Sequence, residues 1–342
     1  MPYSFLNKAE EINSLGFEKY TQILLVTDSN VAVHCYPLIK DFLPKHELFN
    51  IEAGESHKDL THLQSIWDQA LAMNLGRSDL MIALGGGMVS DLLGFAASSY
   101  KRGVSCIYLP TSLMAMVDAA HGGKTGINYG GIKNSIGAFS NPQHIYIHLP
   151  FLNTLEPKDI KSGFAEIIKH GIIEGGELWA EIKNIEVINS SSFSEAFVIR
   201  IIEVKQKTVA LDFTESGKRK ILNHGHSLGH AIESLFLESG KAITHGHAVA
   251  LGMLLESFIA HAHFYLSDEH LNEITYCITK HYPLISIDFS LTEIMDKLWN
   301  DKKNLNLLSF SLPLEIGHVQ QDCEVSESQV KESLELYARF CS

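Results

Sequence analysis

Short apolar runs alternate with helical periodicity along the first 150 or so residues. ILLVTD (23–28) is a β-branched run closed by Asp28-Ser29-Asn30, which also reads as a helix cap. VAVHCYPLIKDFL then predicts a helix, and HELFNIEAG a second strand. DLTHLQSIWDQALAMNL (59–75) carries apolar residues at helical spacing. DLMIAL (79–84) predicts a third strand that runs into Gly85-Gly86-Gly87. VSCIYLP (104–110) and HIYIHL (144–149) predict two more. Such alternation implies a Rossmann-like α/β domain, with a mainly parallel sheet and helices on both faces.

Past residue 150 the strand signal fades. Helical patterns follow at 158–174, 193–211, 226–237, 245–266, 268–281 and 327–339, which predicts an all-α second domain. The expected division is 1–150 and 151–342. No repeat or Gly/Ser linker separates the halves, so the active site is expected in a cleft between them.

Composition narrows the partners. The 342 residues carry a net charge of −13, which argues against nucleic acid and anionic membranes. The five cysteines are scattered without a CxxC pair, as expected of free thiols in a reducing cytosol. The first residues lack a signal-peptide core, and no apolar run is long enough to span a bilayer. The expectation is a cytoplasmic enzyme acting on a small molecule.

Candidate chemistry concentrates in three places. Gly85-Gly86-Gly87 follows a strand and opens a helix, where backbone N–H groups can meet a pyrophosphate; a tight turn is the structural alternative. Asp28 could accept from a ribose or simply cap the next helix. The segment HGHSLGHAIE (224–233) places His226 and His230 about 40° apart on one helical face, with Leu228 and Ile232 opposite. His245 and His247 follow, and five histidines in 24 residues point to a metal site. GFAEIIKHGII (163–173) is apolar nearly all round, so Glu166, Lys169 and His170 should be buried on a shared face. There Glu166 could bind a metal or pair with Lys169. Lysines also gather in the Gly-rich stretch 116–134, in ESGKRKILN and in Asp301-Lys302-Lys303. Together they could bind a phosphate and a carboxylate, although singly each reads as an ordinary surface charge.

In chain order these pieces resemble the sugar-phosphate cyclases, most closely the 3-dehydroquinate synthase family. The matching segments are GESHK (54–58), ALGGGMVSDLLGF (83–95), YKRG (100–103), LPTSLMAMVDAAHGGKTGIN (109–128), KNSIGAF (133–139), SGFAEIIKHGI (162–172), ESGKRKILNHGHSLGHAIE (215–233), HGHAVALGM (245–253) and DKK (301–303). The resemblance implies Zn²⁺ or Co²⁺ on Glu166, His226 and His245, with His230 as a phosphate or proton-relay residue. It implies substrate contacts from Asp118, Lys124, Lys133, Asn134, Lys169, Lys205, Arg219, Asn223 and Lys302 or Lys303. Arg102 would reach a substrate phosphate across a homodimer. NAD would meet Asp28, Asn30, Glu55, Lys58, Gly86, Gly87, Asp91, Thr111, Ser112, Lys124, Lys133, Phe151 and Thr154. The implied reaction converts a heptulosonate phosphate to dehydroquinate and phosphate in the shikimate pathway. Another sugar-phosphate cyclase and a metal-dependent polyol dehydrogenase are the alternatives. Ser90, Met116, Ala119, Ala120, His121 and His247 depart from the family pattern.

Overall fold

The computed structural model describes residues 1–301 and 308–341, so Lys302 and Lys303 lie outside the described residues. The chain forms two compact units: residues 1–156 with 193–195, and residues 157–192 with 196–342.

In the first unit the elements are β1 (Tyr3–Phe5), β2 (Ile23–Asp28), α1 (Ser29–His34), β3 (Glu47–Ile51), α2 (Leu60–Ala72), β4 (Leu80–Gly85), α3 (Gly87–Ser99), β5 (Ser105–Pro110), α4 (Leu113–Val117), β6 (Lys124–Tyr129), β7 (Ile132–Phe139) and β8 (His144–Ile147). Six of them form one sheet in the order β1-β8-β5-β4-β2-β3, and every pair is parallel. The central strands β2 and β4 are buried at every position, which explains their unbroken apolar runs. β6 and β7 form a separate antiparallel hairpin, closed by Gly130 and Gly131 at positive φ. The helix expected after β2 stops at His34, and Pro37 lies in one of two 3₁₀ turns that replace the rest. Proline supplies no N–H to an α-helix interior.

The second unit holds α5 (Pro157–Glu174), α6 (Gly176–Lys183), α7 (Glu195–Leu211, its first residue in the first unit), α8 (His226–Glu238), α9 (His245–His263), α10 (Asp268–His281), α11 (Leu291–Asp301), β9 (Leu308–Glu315), β10 (His318–Val325) and α12 (Glu327–Cys341). It is helical as expected, and among the described residues one antiparallel hairpin, β9–β10, is added near its end. α9 is its spine, buried from Ala248 through Ala260. Among the described residues no helix is long and apolar enough to cross a membrane.

Candidate metal centre and cofactor-binding turn

Three helices of the second unit carry the candidate metal ligands. α5 is buried from Ser162 to Ile173, and it presents Glu166 and Lys169 as a buried ion pair through Glu166 Oε2. The other oxygen, Oε1, faces two imidazoles: His226 Nε2 of α8 at 3.5 Å and His245 Nε2 of α9 at 3.6 Å. Two ligand atoms each about 2.0–2.1 Å from a tetrahedral ion stand roughly 3.3–3.4 Å apart. The observed spacing is within a few tenths of an ångström of that edge.

Both rings are already oriented for such a role. His226 Nδ1 donates to the His224 carbonyl at 3.2 Å, and His245 Nδ1 donates to Glu233 Oε2 at 3.2 Å. An oxygen acceptor on Nδ1 leaves Nε2 unprotonated in the neutral ring and able to ligate. The residues present therefore fit a divalent ion. His230 stands beside them, with ring centroids 5.2 Å from His226 and 5.5 Å from His245. The nitrogens of His226, His230 and His245 also lie within 4.8 Å of one another, so geometry alone allows a three-histidine set as well.

Charge in this centre is strongly coupled. Burial opposes ionisation of Glu166, but Lys169, then His226 and His245, outweigh it and hold the carboxyl well below its usual range. Burial, then the Lys169 charge, push His226 down. Burial also acts against protonated His245, yet its bonds to Glu166 and Glu233 prevail and raise it to about 9.

One supporting residue escaped the sequence reading. Glu256 of α9 is fully buried, and it accepts from the backbone N–H of Gly225 at 2.5 Å and of Leu228 at 3.3 Å. It also accepts from His224 Nδ1 at 3.2 Å, a nitrogen that Ser311 O meets at 3.1 Å. Gly225 caps α8 with no side chain of its own, so a carboxylate from α9 does that work. A lone glutamate inside the apolar run 248–260 was the available signal.

The anion-binding candidates of this unit are Lys205, Arg219 and Asn223. Lys205 and Arg219 are buried, and Arg219 Nη1 donates to the Phe213 carbonyl at 2.6 Å. Asn223 Nδ2 donates to Glu215 Oε1 at 2.7 Å.

In the first unit β4 delivers the chain into Gly86 and Gly87 at the start of α3, a helix with no side-chain cap among the described residues. Its first-turn N–H groups are free to meet a pyrophosphate. Ser90, where the family pattern has glycine, turns its hydroxyl back to the Gly86 and Gly87 carbonyls at 3.0 and 3.2 Å. Asp28 ends β2 and caps α1, with Oδ1 accepting from Asn30 N at 3.0 Å and Val31 N at 3.1 Å. Lys58 is buried between Glu55 Oε1 at 3.0 Å and Asp91 Oδ2 at 3.1 Å. Burial works against the Lys58 ammonium, but the two carboxylates prevail and raise it. Burial lifts Asp91 to about 6 despite Lys58. This turn, with carboxylates at the ends of neighbouring strands, fits a dinucleotide.

The remaining residues are spread among different roles. Thr111 is buried, and Ser112 Oγ caps α4. Asp118 follows α4, Lys124 opens β6, and Lys133 and Asn134 lie exposed on β7. Phe151 is fully buried, and the Thr154 hydroxyl donates to its carbonyl at 2.7 Å. Arg102 sits on a strained turn, with Lys101 and Arg102 both at positive φ. Two departures from the family pattern prove structural: Met116 is fully buried, and so is His121, whose Nε2 donates to the Met116 carbonyl at 2.9 Å.

The structure is similar to two solved cyclases. 2-Deoxy-scyllo-inosose synthase, solved with carbaglucose-6-phosphate, NAD⁺ and Co²⁺, has a TM-score of 0.84 at 23% identity, over 98% of this chain and 96% of that one. The 2-epi-5-epi-valiolone synthase ValA of Streptomyces hygroscopicus subsp. jinggangensis, with NAD⁺ and Zn²⁺, has a TM-score of 0.86 at 22% identity, over 99% and 98%. At that identity the likeness establishes the fold. Sequence goes further. Residues 48–162 match the 3-dehydroquinate synthase N-terminal model and residues 163–304 the C-terminal model. The 3-dehydroquinate synthase of Parabacteroides distasonis is 38% identical over 96% of this chain and 95% of its own length. Matches that run this continuously through both the glycine turn and the histidine helices make the chain a member of the 3-dehydroquinate synthase family.

Proposed function

We propose that the protein converts 3-deoxy-D-arabino-heptulosonate 7-phosphate to 3-dehydroquinate and phosphate, with NAD⁺ and one divalent ion, Zn²⁺ or Co²⁺. The observation that carries this reading is Glu166 Oε1 shared by His226 Nε2 and His245 Nε2 at tetrahedral-edge spacing. When bound, NAD⁺ takes up and returns a hydride, and the ion acidifies a substrate hydroxyl. Glu166, His226 and His245 hold the ion. Lys169, fixed by its pair with Glu166, offers a cation to the reacting oxygens. Lys205, Arg219 and Asn223 bind the substrate's anionic groups, and His230 holds or gives a proton at the leaving phosphate. Asp118, Lys124, Lys133 and Asn134 complete the substrate contacts. Gly86, Gly87, Asp28, Asn30, Glu55, Lys58, Asp91, Thr111, Ser112, Phe151 and Thr154 form the nucleotide site. The same reading makes the protein a cytoplasmic homodimer in which Arg102 of the partner subunit reaches the phosphate.

The test is release of inorganic phosphate from the heptulosonate phosphate. Release that needs both NAD⁺ and metal, stops with chelator, and leaves no net NADH is expected. Lys169→Met should lower kcat by roughly 10²–10³-fold. Steady accumulation of NADH from a simple polyol, without phosphate release, would replace this reading with a dehydrogenase.

A further inference from the structure

The β6–β7 hairpin poses a local problem. β7 is exposed at every position from Ile132 to Phe139 except Ala138, and among the described residues it pairs only with β6. β6 is anchored, with Thr125, Gly126 and Ile127 buried and the strand packed on α3 and α2, so β7 is held mainly through β6. Asn134 on β7 is held at φ 53, beside a register irregularity between Ile127 and Tyr129. A backbone kink on a strand with no buried face of its own is steadied by a tie from outside the strand.

Asn128 provides one, and uses both ends of its amide. Its Oδ1 accepts from the Asn134 backbone N–H at 2.8 Å. Its Nδ2 donates to the Glu55 carbonyl at 3.2 Å and to Glu55 Oε1 at 3.0 Å. Its backbone N–H donates to the Lys58 carbonyl at 2.7 Å. The chain of bonds thus runs from Asp91 through Lys58 and Glu55 to Asn128, and ends at Asn134.

We infer that Asn128 is a positioning residue that couples the Gly54–Lys58 loop to Lys133 and Asn134, so that nucleotide on the loop sets the hairpin for substrate. This rests on the reading of Glu55 and Lys58 as NAD⁺ contacts. A ligand that orders the loop reaches β6 through the Asn128 backbone N–H on the Lys58 carbonyl, and it reaches Asn134 on β7 through the Asn128 side chain, which bonds Glu55 and Asn134 together. Asn128 is partly exposed at the end of a strand, so it can be replaced without emptying a core.

The test is hydrogen exchange on the full-length protein with and without saturating NAD⁺, joined to steady-state kinetics. In the wild type, NAD⁺ should slow exchange both at 54–58 and at 132–136. In Asn128→Ala, NAD⁺ should still protect 54–58, but the protection at 132–136 should vanish and KM for the sugar phosphate rise about tenfold, the worth of one or two hydrogen bonds. The Kd for NAD⁺ should stay within about threefold, since the loop keeps Lys58 and Asp91. Asn128→Asp keeps the acceptor for Asn134 and loses the donors to Glu55, so it should decouple the hairpin like the alanine. NAD⁺ protection at 132–136 that is equal in all three proteins overturns the inference. Protection at 54–58 with none at 132–136 in the wild type also overturns it. Absence of protection at 54–58 in the wild type overturns the cofactor reading itself.

Discussion

Among the described residues Glu256 is buried with no lysine or arginine among its hydrogen-bond partners, and that makes it sensitive to a small change. Its three donors are two backbone N–H groups and the His224 ring. Glu256→Gln turns one acceptor oxygen into an NH₂ that faces donors. Leaving a buried N–H unsatisfied costs about 1–3 kcal/mol. The expected result is a loss of that size in urea unfolding, together with weaker zinc binding, because the first turn of α8 carries His226. Unchanged zinc affinity in a destabilised but folded variant would limit Glu256 to stability alone. His245 gives a prediction of the opposite kind. Its folded pKa is raised from 6.5 to about 9, so in metal-free protein its contribution is fully present below 6.5 and lost as pH rises through 9. A metal takes the neutral ring instead. Calorimetry from pH 6.5 to 9 should therefore show the metal-free melting temperature falling while the gain on adding zinc grows. A zinc-induced gain that shrinks over the same interval would remove His245 from the ligand set.

The helices that carry the proposed ligands approach one another through glycine. A Cβ on Gly252 of α9 would lie 2.0 Å from the Gly225 carbonyl oxygen and 2.7 Å from Gly229 N, and one on Gly246 would lie 2.0 Å from the Ser162 carbonyl oxygen. Those atoms are backbone, so α8 and α5 cannot yield by a side-chain rotation. Gly252→Ala must push α8 away from α9, at a cost of about 3 kcal/mol or more. Since the His226 and His245 nitrogens stand only ångströms apart, the same displacement should weaken zinc binding at least tenfold in a chelator competition. Wild-type zinc affinity in a folded Gly252→Ala protein would show that helix spacing does not set ligand spacing. The elements themselves were largely legible, because burial on one face writes a period into the sequence. α5, α8 and α10 begin and end within about two residues of their apolar patterns. β1 is three residues long at the sheet edge, too short to carry a period, and it was not visible. β6–β7 was hidden for the opposite reason. β7 has no buried face, so its alternation had nothing to record.

At the scale of the whole molecule, the part of the site that could be read was the part written locally. HGHSLGHAIE puts His226 and His230 on adjacent turns, and spacing alone favours that pair as the clamp. The geometry sets Glu166, 60 residues earlier by number, against His226 and His245 while keeping His230 beside both, and no period links residues on three helices. That pairing was available only from the family resemblance. Glu233 shares the histidine face of HGHSLGHAIE and Glu256 stands alone in an apolar run, but neither they nor the bridging Asn128 carry in sequence a mark of the distant donor or acceptor each will meet. The division into two units then makes the chemistry separable. All three proposed metal ligands belong to the second unit, and the proposed NAD⁺ contacts belong to the first. A ligand present at about a hundred times its Kd adds roughly 2.7 kcal/mol to whatever binds it. Zinc alone should therefore slow hydrogen exchange in α5, α8 and α9 by up to about a hundredfold, and leave 54–58 and 86–91 near their metal-free rates. NAD⁺ alone should do the reverse. If zinc protected the glycine turn and left the histidine helices unchanged, the assignment of metal to Glu166, His226 and His245 would fail, whatever the enzyme's activity.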